Sequence, residues 1–335
     1  MPIVNRRSFI NRIGSGILAA PALWIASRAT ASTPGLMGKS RVVIARREGM
    51  LSPSNTLDET LTRKMLDAAA LAFTGGKEAD ALWRTLFSSK DTVAIKVNTL
   101  GGRSLSPHPE LVYAVAEKLA DVGVLPQRIF IWDRSVRELE RAVFTKESAK
   151  GRAAVIATDS PGVGYEAEPE TSGSIGSCFS RIVSQGCTAL INIGILKDHD
   201  LCGVSVAMKN FFGAIHNPNK YHFDVAKDPY VPDVCLHPYI RNRLRLTICD
   251  AFRGQCDGGP AYKASAAWDY NGLMIAADPV ALDAVAASIL EKKRAEMKLP
   301  PLKEAGREPL YIQLAEEKKL GWADPAHIEI VEAAV

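Results

Sequence analysis

The chain has 335 residues, 47% of them hydrophobic, with 41 basic and 37 acidic side chains. That is enough apolar material for one large domain or two intimate ones, and too little charge for a disordered chain. Four of the basic residues (Arg6, Arg7, Arg12 and Arg28) fall in the first 31 positions, which hold no acid. The remainder is formally neutral, so a nucleic-acid partner has no electrostatic support.

The chain opens Asn5-Arg6-Arg7-Ser8-Phe9-Ile10, followed by a moderately apolar run from Ile13 to Ser27 and the small-x-small sequence Ala29-Thr30-Ala31. A basic start, an apolar middle and a small-residue exit define a secretory signal, and the arginine pair is the twin-arginine pattern. The run is short for a bilayer span. Residues 1–31 are therefore expected to be a twin-arginine signal peptide, removed near Ala31. Residues 32–335 would be exported folded by the twin-arginine machinery to the periplasm, without a permanent membrane anchor. Six cysteines follow, and Cys249 with Cys256 is the pair to test first for a bridge in an oxidising compartment. No Cys-x-x-Cys pair occurs, so no iron–sulfur cluster is expected.

Short runs rich in β-branched residues alternate with helix-like stretches. Strands are expected at 41–45, 92–97, 129–132, 153–158, 189–195, 244–249 and 273–276. Helices are expected at 57–73, 109–122, 135–148, 175–185, 204–215 and 279–290, with a helix and a closing strand after Leu302. Continuous apolar strands separated by helices predict an α/β fold, a mainly parallel sheet with helices on both faces. No dinucleotide fingerprint, phosphate loop or nucleophile elbow is present.

Polar residues stand where these strands stop. Lys96 and Asn98 close the second strand, Asp133 and Asp159 the next two, and Lys197-Asp198-His199-Asp200 the fifth. Asp250 and Asp278 close the last two. In a parallel sheet such groups meet at the carboxyl edge, where open α/β sheets bind ligands. Asp278 before Pro279 reads as a helix N-cap, and Asp133 and Asp159 as ordinary loop residues. Lys197, leaving a buried strand, is where desolvation makes a lysine chemically useful.

Gly203 should turn the backbone into a helix whose free N–H groups could hold an anion. Lys209, Gly213 and His216 would share one face of it, with Asn210 beside them. Asp257, Gly258 and Gly259 form a loop that brings backbone close to a ligand. His199, His216 and His222 with Asp250 could form a transition-metal site.

Several of these stretches resemble the family called domain of unknown function 362. They are Ala94–Asn98, Pro107-His108-Pro109-Glu110-Leu111-Val112, Ile191-Asn192-Ile193 through Lys197 and His199, Gly203–Gly213, Asp250 with Gly258-Gly259-Pro260, and Ala277–Asp283. The resemblance spans about residues 90 to 290 and carries fold and site placement further than reaction. Some members carry an appended ferredoxin-like domain, for which this chain lacks the cysteines.

The combined expectation is a periplasmic enzyme acting on a small anionic molecule. Lys96, Lys197 and Lys209 would neutralise it, Asn98, Asn210, Gly203 and the 257–259 loop would contact it, and His199 or Lys197 would move the proton. Asp198 would orient the histidine. A non-catalytic ligand- or metal-binding protein using the same pocket is the alternative.

Overall fold

The computed structural model describes residues 38–222 and 229–335. The proposed signal peptide therefore lies outside the described residues. Among those described, no helix is long and apolar enough to cross a membrane.

The core is one mixed, mostly parallel sheet. Its strands are β1 (Ser40–Arg46), β2 (Val93–Val97), β3 (Ile129–Asp133), β4 (Ala154–Ala157), β7 (Ala189–His199), β9 (Leu244–Gln255), β10 (Ala267–Ala276) and β11 (Ile328–Ala333), in the order β11-β1-β10-β9-β7-β2-β3-β4. The missing numbers are β5 (Glu170–Ser172) and β6 (Ile175–Ser177), which pair with each other, and the short β8 (Gly203–Val204), which folds back on β7. From β9 through β4 every pairing is parallel. β10 runs antiparallel to both β9 and β1.

β2 is buried throughout, because both sheet faces are covered. Val93, Ile95 and Val97 enter the core shared with the helices Glu59–Thr74 and Pro109–Asp121. Ala94 and Lys96 turn to the opposite face, where the alternation of a strand must send them. There Ala94 joins the core built with segment Met208–Ala214 and helices Tyr230–Leu236 and Tyr311–Glu317. Helix Pro279–Glu296 closes the same side over β1 and β10, and Asp278 caps it as the sequence predicts, accepting from Val280 and Ala281 N–H.

The strand order places the site. The chain steps from β2 to β3 to β4 on one side, then returns in β7 to pair with the other side of β2. The carboxyl ends of β2 and β7 therefore flank a topological switch point, where the connections diverge and leave a crevice. Asn98 follows β2, and β7 runs on past the end of β2 to Lys197, Asp198 and His199.

Four expectations need correction, the first being the helix at 135–148, which is two short helices, Val136–Arg141 and Lys146–Ala149. Residues 175–185 form strand β6 and a wide π-type turn, because Glu170–Ser172 offers a pairing edge. The 204–215 stretch is not an α-helix: after β8 it becomes a 3-10 segment, Met208–Ala214. Its entrance is held by side chains, since Asp283 accepts from Ala207 and Met208 N–H at 2.6 and 3.0 Å, and Asn192 donates to the Ala207 carbonyl at 2.8 Å. Cys249 and Cys256 are separate thiols. Cys256 Sγ lies instead 3.3 Å from Met297 Sδ, and Cys249 Sγ lies 3.7 Å from the Asp250 carbonyl.

Candidate functional site

The crevice holds a cavity of about 400 Å³, bordered by Lys96, Asn98, Asp133, Lys197, His199, Lys209, Asn210 and His222 among others. Residues far apart in the chain reach it because β2, β3 and β7 are parallel neighbours and Met208–Ala214 lies across their ends.

One wall is a closed hydrogen-bond chain. Lys96 Nζ donates to Asp133 Oδ1 at 2.7 Å, to Asn210 Oδ1 at 2.9 Å and to its neighbour's carbonyl at 2.5 Å. Asp133 Oδ2 accepts from Thr99 N–H and O–H at 2.8 and 2.6 Å. Asn210 passes the chain to Asn192 at 2.7 Å, and Asn192 to Ala207. Burial alone would raise the Asp133 pKa; Lys96 and the Thr99 donors outweigh it and hold the carboxylate below its ordinary value. Burial lowers the Lys96 pKa, and Asp133 opposes that shift. Gly213 is required here, since a Cβ would stand 2.9 Å from Lys96 Cε and 3.2 Å from Asp133 Oδ1.

The other wall is not closed. Lys197 is fully buried and has Asn98 Oδ1 as its hydrogen-bond partner at 3.1 Å. Lys209 Nζ meets His222 Nε2 at 2.9 Å and lies 3.8 Å from the Phe212 ring centroid. Among the described residues neither ammonium is ion-paired. Burial pulls both lysines down to about 8, Lys197 further opposed by the charge on Lys209.

The histidines are neutral acceptors and stacking partners. His222 Nδ1–H donates to the Pro218 carbonyl at 3.0 Å, leaving Nε2 to accept from Lys209. His199 Nδ1 lies 3.2 Å from Leu201 N and 3.0 Å from Asp200 Oδ1. Burial, then the neighbouring Lys209, pushes the His199 pKa down to about 2, so it stays neutral beside Asp200. The two rings stack 5.7 Å apart.

The remaining candidates go elsewhere. Asp198 alternates away from Lys197 and His199, accepting from Gly259 N–H at 2.9 Å and from Arg307 at 2.8 Å. Asp257 is bound by Arg307, Arg294 and Lys263, so the 257–259 turn braces the site from behind and only Pro260 reaches the cavity. Gly203 supplies a left-handed turn, φ +78°, packed against the Arg307 carbonyl; no helix start faces an anion there. The metal set is not assembled. His216 is exposed against Tyr165, and Asp250 is engaged by His108. Among the described residues no three His, Cys, Asp or Glu side chains converge as metal ligands.

Two partners were missed by reading the sequence. Asp133 looks like a loop aspartate, yet it neutralises Lys96. Asp283 lies in a helix sequence remote from the site, yet it fixes the backbone that presents Lys209. Burial raises its pKa to about 7 despite its two backbone donors, and Tyr311 O–H reaches it at 3.3 Å.

The family model described as Domain of unknown function (DUF362) matches residues 93–288. The chain belongs to this family. The DUF362 match begins at the first residue of β2 and ends inside helix Pro279–Glu296, so it takes in Lys96, Asp133, Lys197, Lys209, His222 and Asp283. No curated protein matches the chain.

Proposed function

We propose that the protein is an exported enzyme that binds a small anionic substrate in the switch-point cavity and moves a proton on it with its lysines. The observation that carries the reading is the pair of buried ammonium groups, Lys197 and Lys209, in one cavity with no carboxylate partner among the described residues. Burying a charged lysine is costly, and proteins normally pair it. An anion entering between the two would supply the missing charge, and Lys96, already satisfied by Asp133, would hold the wall.

A lysine with a pKa near 8 is part protonated and part free at neutral to mildly basic pH, as a general acid or base requires. Lys209 can pass hydrogen-bond polarity to His222, whose ring the Pro218 carbonyl orients. Neutral His199 borders the same cavity, stacked on His222, and adds a hydrogen-bonding ring to its wall.

The test is a panel of phosphate, sulfate and short mono- and dicarboxylates, scored by calorimetry for binding and by proton-exchange NMR for turnover. Saturable binding lost in Lys197→Met and Lys209→Met, with solvent deuterium entering a bound carbon acid, supports the enzyme. Binding without chemical change selects a ligand carrier. No binding of any anion rejects both. Export is tested separately: Arg6→Lys with Arg7→Lys should leave the unprocessed chain in the cytoplasm.

A further inference from the structure

A second hollow, about 210 Å³, lies beyond the loop that leaves β2. It is lined by Asn55, Ser106, His108, Glu110 and a mainly basic rim of Arg103, Lys150 and Arg152, with Glu59 beside Arg152 at 3.8 Å. It shares no lining residue with the first cavity. Four buried side-chain atoms in it have no hydrogen-bond partner: His108 Nε2, Ser106 Oγ, Glu110 Oε2 and Asn55 Oδ1. They are four of the eleven such atoms among the described residues, so the deficit is concentrated here rather than scattered. Native proteins seldom leave buried polar groups unsatisfied without a ligand or ordered water to meet them.

Asp250 organises the centre. β9 does not stop at Cys249; it continues to Gln255, so Asp250 sits within the strand. Its Oδ2 accepts from His108 N–H at 2.7 Å and from Nδ1–H at 2.9 Å, and Phe252 packs edge-on against the ring at 5.8 Å. His108 and Ser106 are 3% and 4% exposed. The ring is thus locked at one nitrogen with the other unpaired. Burial opposes a charge on His108, but Asp250 outweighs it and the pKa is raised; Nε2 donates when the ring is protonated and accepts when it is neutral. Arg152 is held over the Tyr113 ring at 4.2 Å and by Glu117 at 3.2 Å.

The unmatched groups specify a ligand. The Ser106 hydroxyl and the protonated form of His108 call for an acceptor, and the mainly basic rim calls for negative charge. Glu110 Oε2 and Asn55 Oδ1 call for a donor on the same molecule. An oxyanion that keeps an O–H meets all of these. We infer that this hollow is a second binding site, for a hydrogen-phosphate group, free or as a small phosphomonoester, held by His108, Ser106 and Glu110.

The test uses the full chain with its His108 ring followed by NMR, titrated with inorganic phosphate, glycerol phosphate and sulfate. The titration is run at about pH 6, where phosphate and much of its monoester keep an O–H while sulfate, matched in size, has none. The expected result is a saturable shift of the His108 ring with phosphate or its ester, preserved in Lys209→Met, which impairs only the first cavity. Ser106→Ala should weaken it about tenfold or more, and Glu110→Met, which removes the acceptor, should abolish the preference for phosphate over sulfate; neither residue contacts the Asp250 pair. A tighter ester than free phosphate would identify the ester as the occupant, and the reverse the free ion. An unmoved His108 ring, equal affinity for sulfate, or loss of the shift in Lys209→Met would overturn the inference.

Discussion

Three buried lysines border one cavity, and they are not alike. Lys96 has three acceptors, one of them the carboxylate of Asp133. Lys197 and Lys209 have a side-chain amide and an imidazole. The same residue type, equally buried, is a structural tie in one place and an incomplete charge in the other. A desolvated ammonium with a full set of acceptors makes a wall rigid, whereas one without them costs stability until something binds. For a lysine lowered from 10.5 to about 8, that cost is about 3 kcal/mol while it is charged.

The contrast can be broken by exchange. Lys96→Met leaves Asp133 buried and unpaired, and should destabilise the fold by about 3–5 kcal/mol, read as a large drop in the urea midpoint. Lys209→Met or Lys197→Met should instead leave the midpoint unchanged or raise it, while weakening anion binding about tenfold to a hundredfold. A stability loss in Lys209→Met matching that of Lys96→Met would erase the distinction.

Acidity sharpens it next. Anion binding needs the protonated lysines, so affinity should fall as pH rises through about 8, by about tenfold per unit for each lysine that must be charged. Stability of the free protein moves the other way: between about 8 and the ordinary value of 10.5 the unfolded chain holds protons the folded one lacks, so stability rises with pH. The acid limb belongs to His199. Its folded pKa of about 2 lies below the ordinary 6.5, so stability is lost as pH falls below that value. His199→Gln should flatten that acid slope in a series of melts from neutral pH downward.

Strand exits made much of this site legible in the sequence. Lys96, Asn98, Lys197 and His199 reach the crevice because continuous apolar runs mark buried parallel strands, and whatever ends such a run emerges at one edge. The reading failed where the run did not end. Asp250 lies mid-strand, pairing opposite Ile195, and its carboxylate is taken up by His108. Asp198 failed for a simpler reason, since alternation sends it to the side opposite its two neighbours. The segment around Lys209 has helical spacing in sequence, but Asp283 and Asn192 satisfy its first backbone groups from outside and a tighter coil results. No local pattern encodes a carboxylate arriving from 76 residues away.

Lys197 and Lys209, without a carboxylate partner among the described residues, are proposed to titrate near pH 8 and to take up an anion. The direct measurement is NMR titration of the side-chain Cε signals of Lys197 and Lys209, with and without a bound anion from the panel. The account predicts that both titrate near pH 8 in the free protein and move upward together when the anion binds. Titration of both at the ordinary lysine value, with no response to any anion, would contradict it.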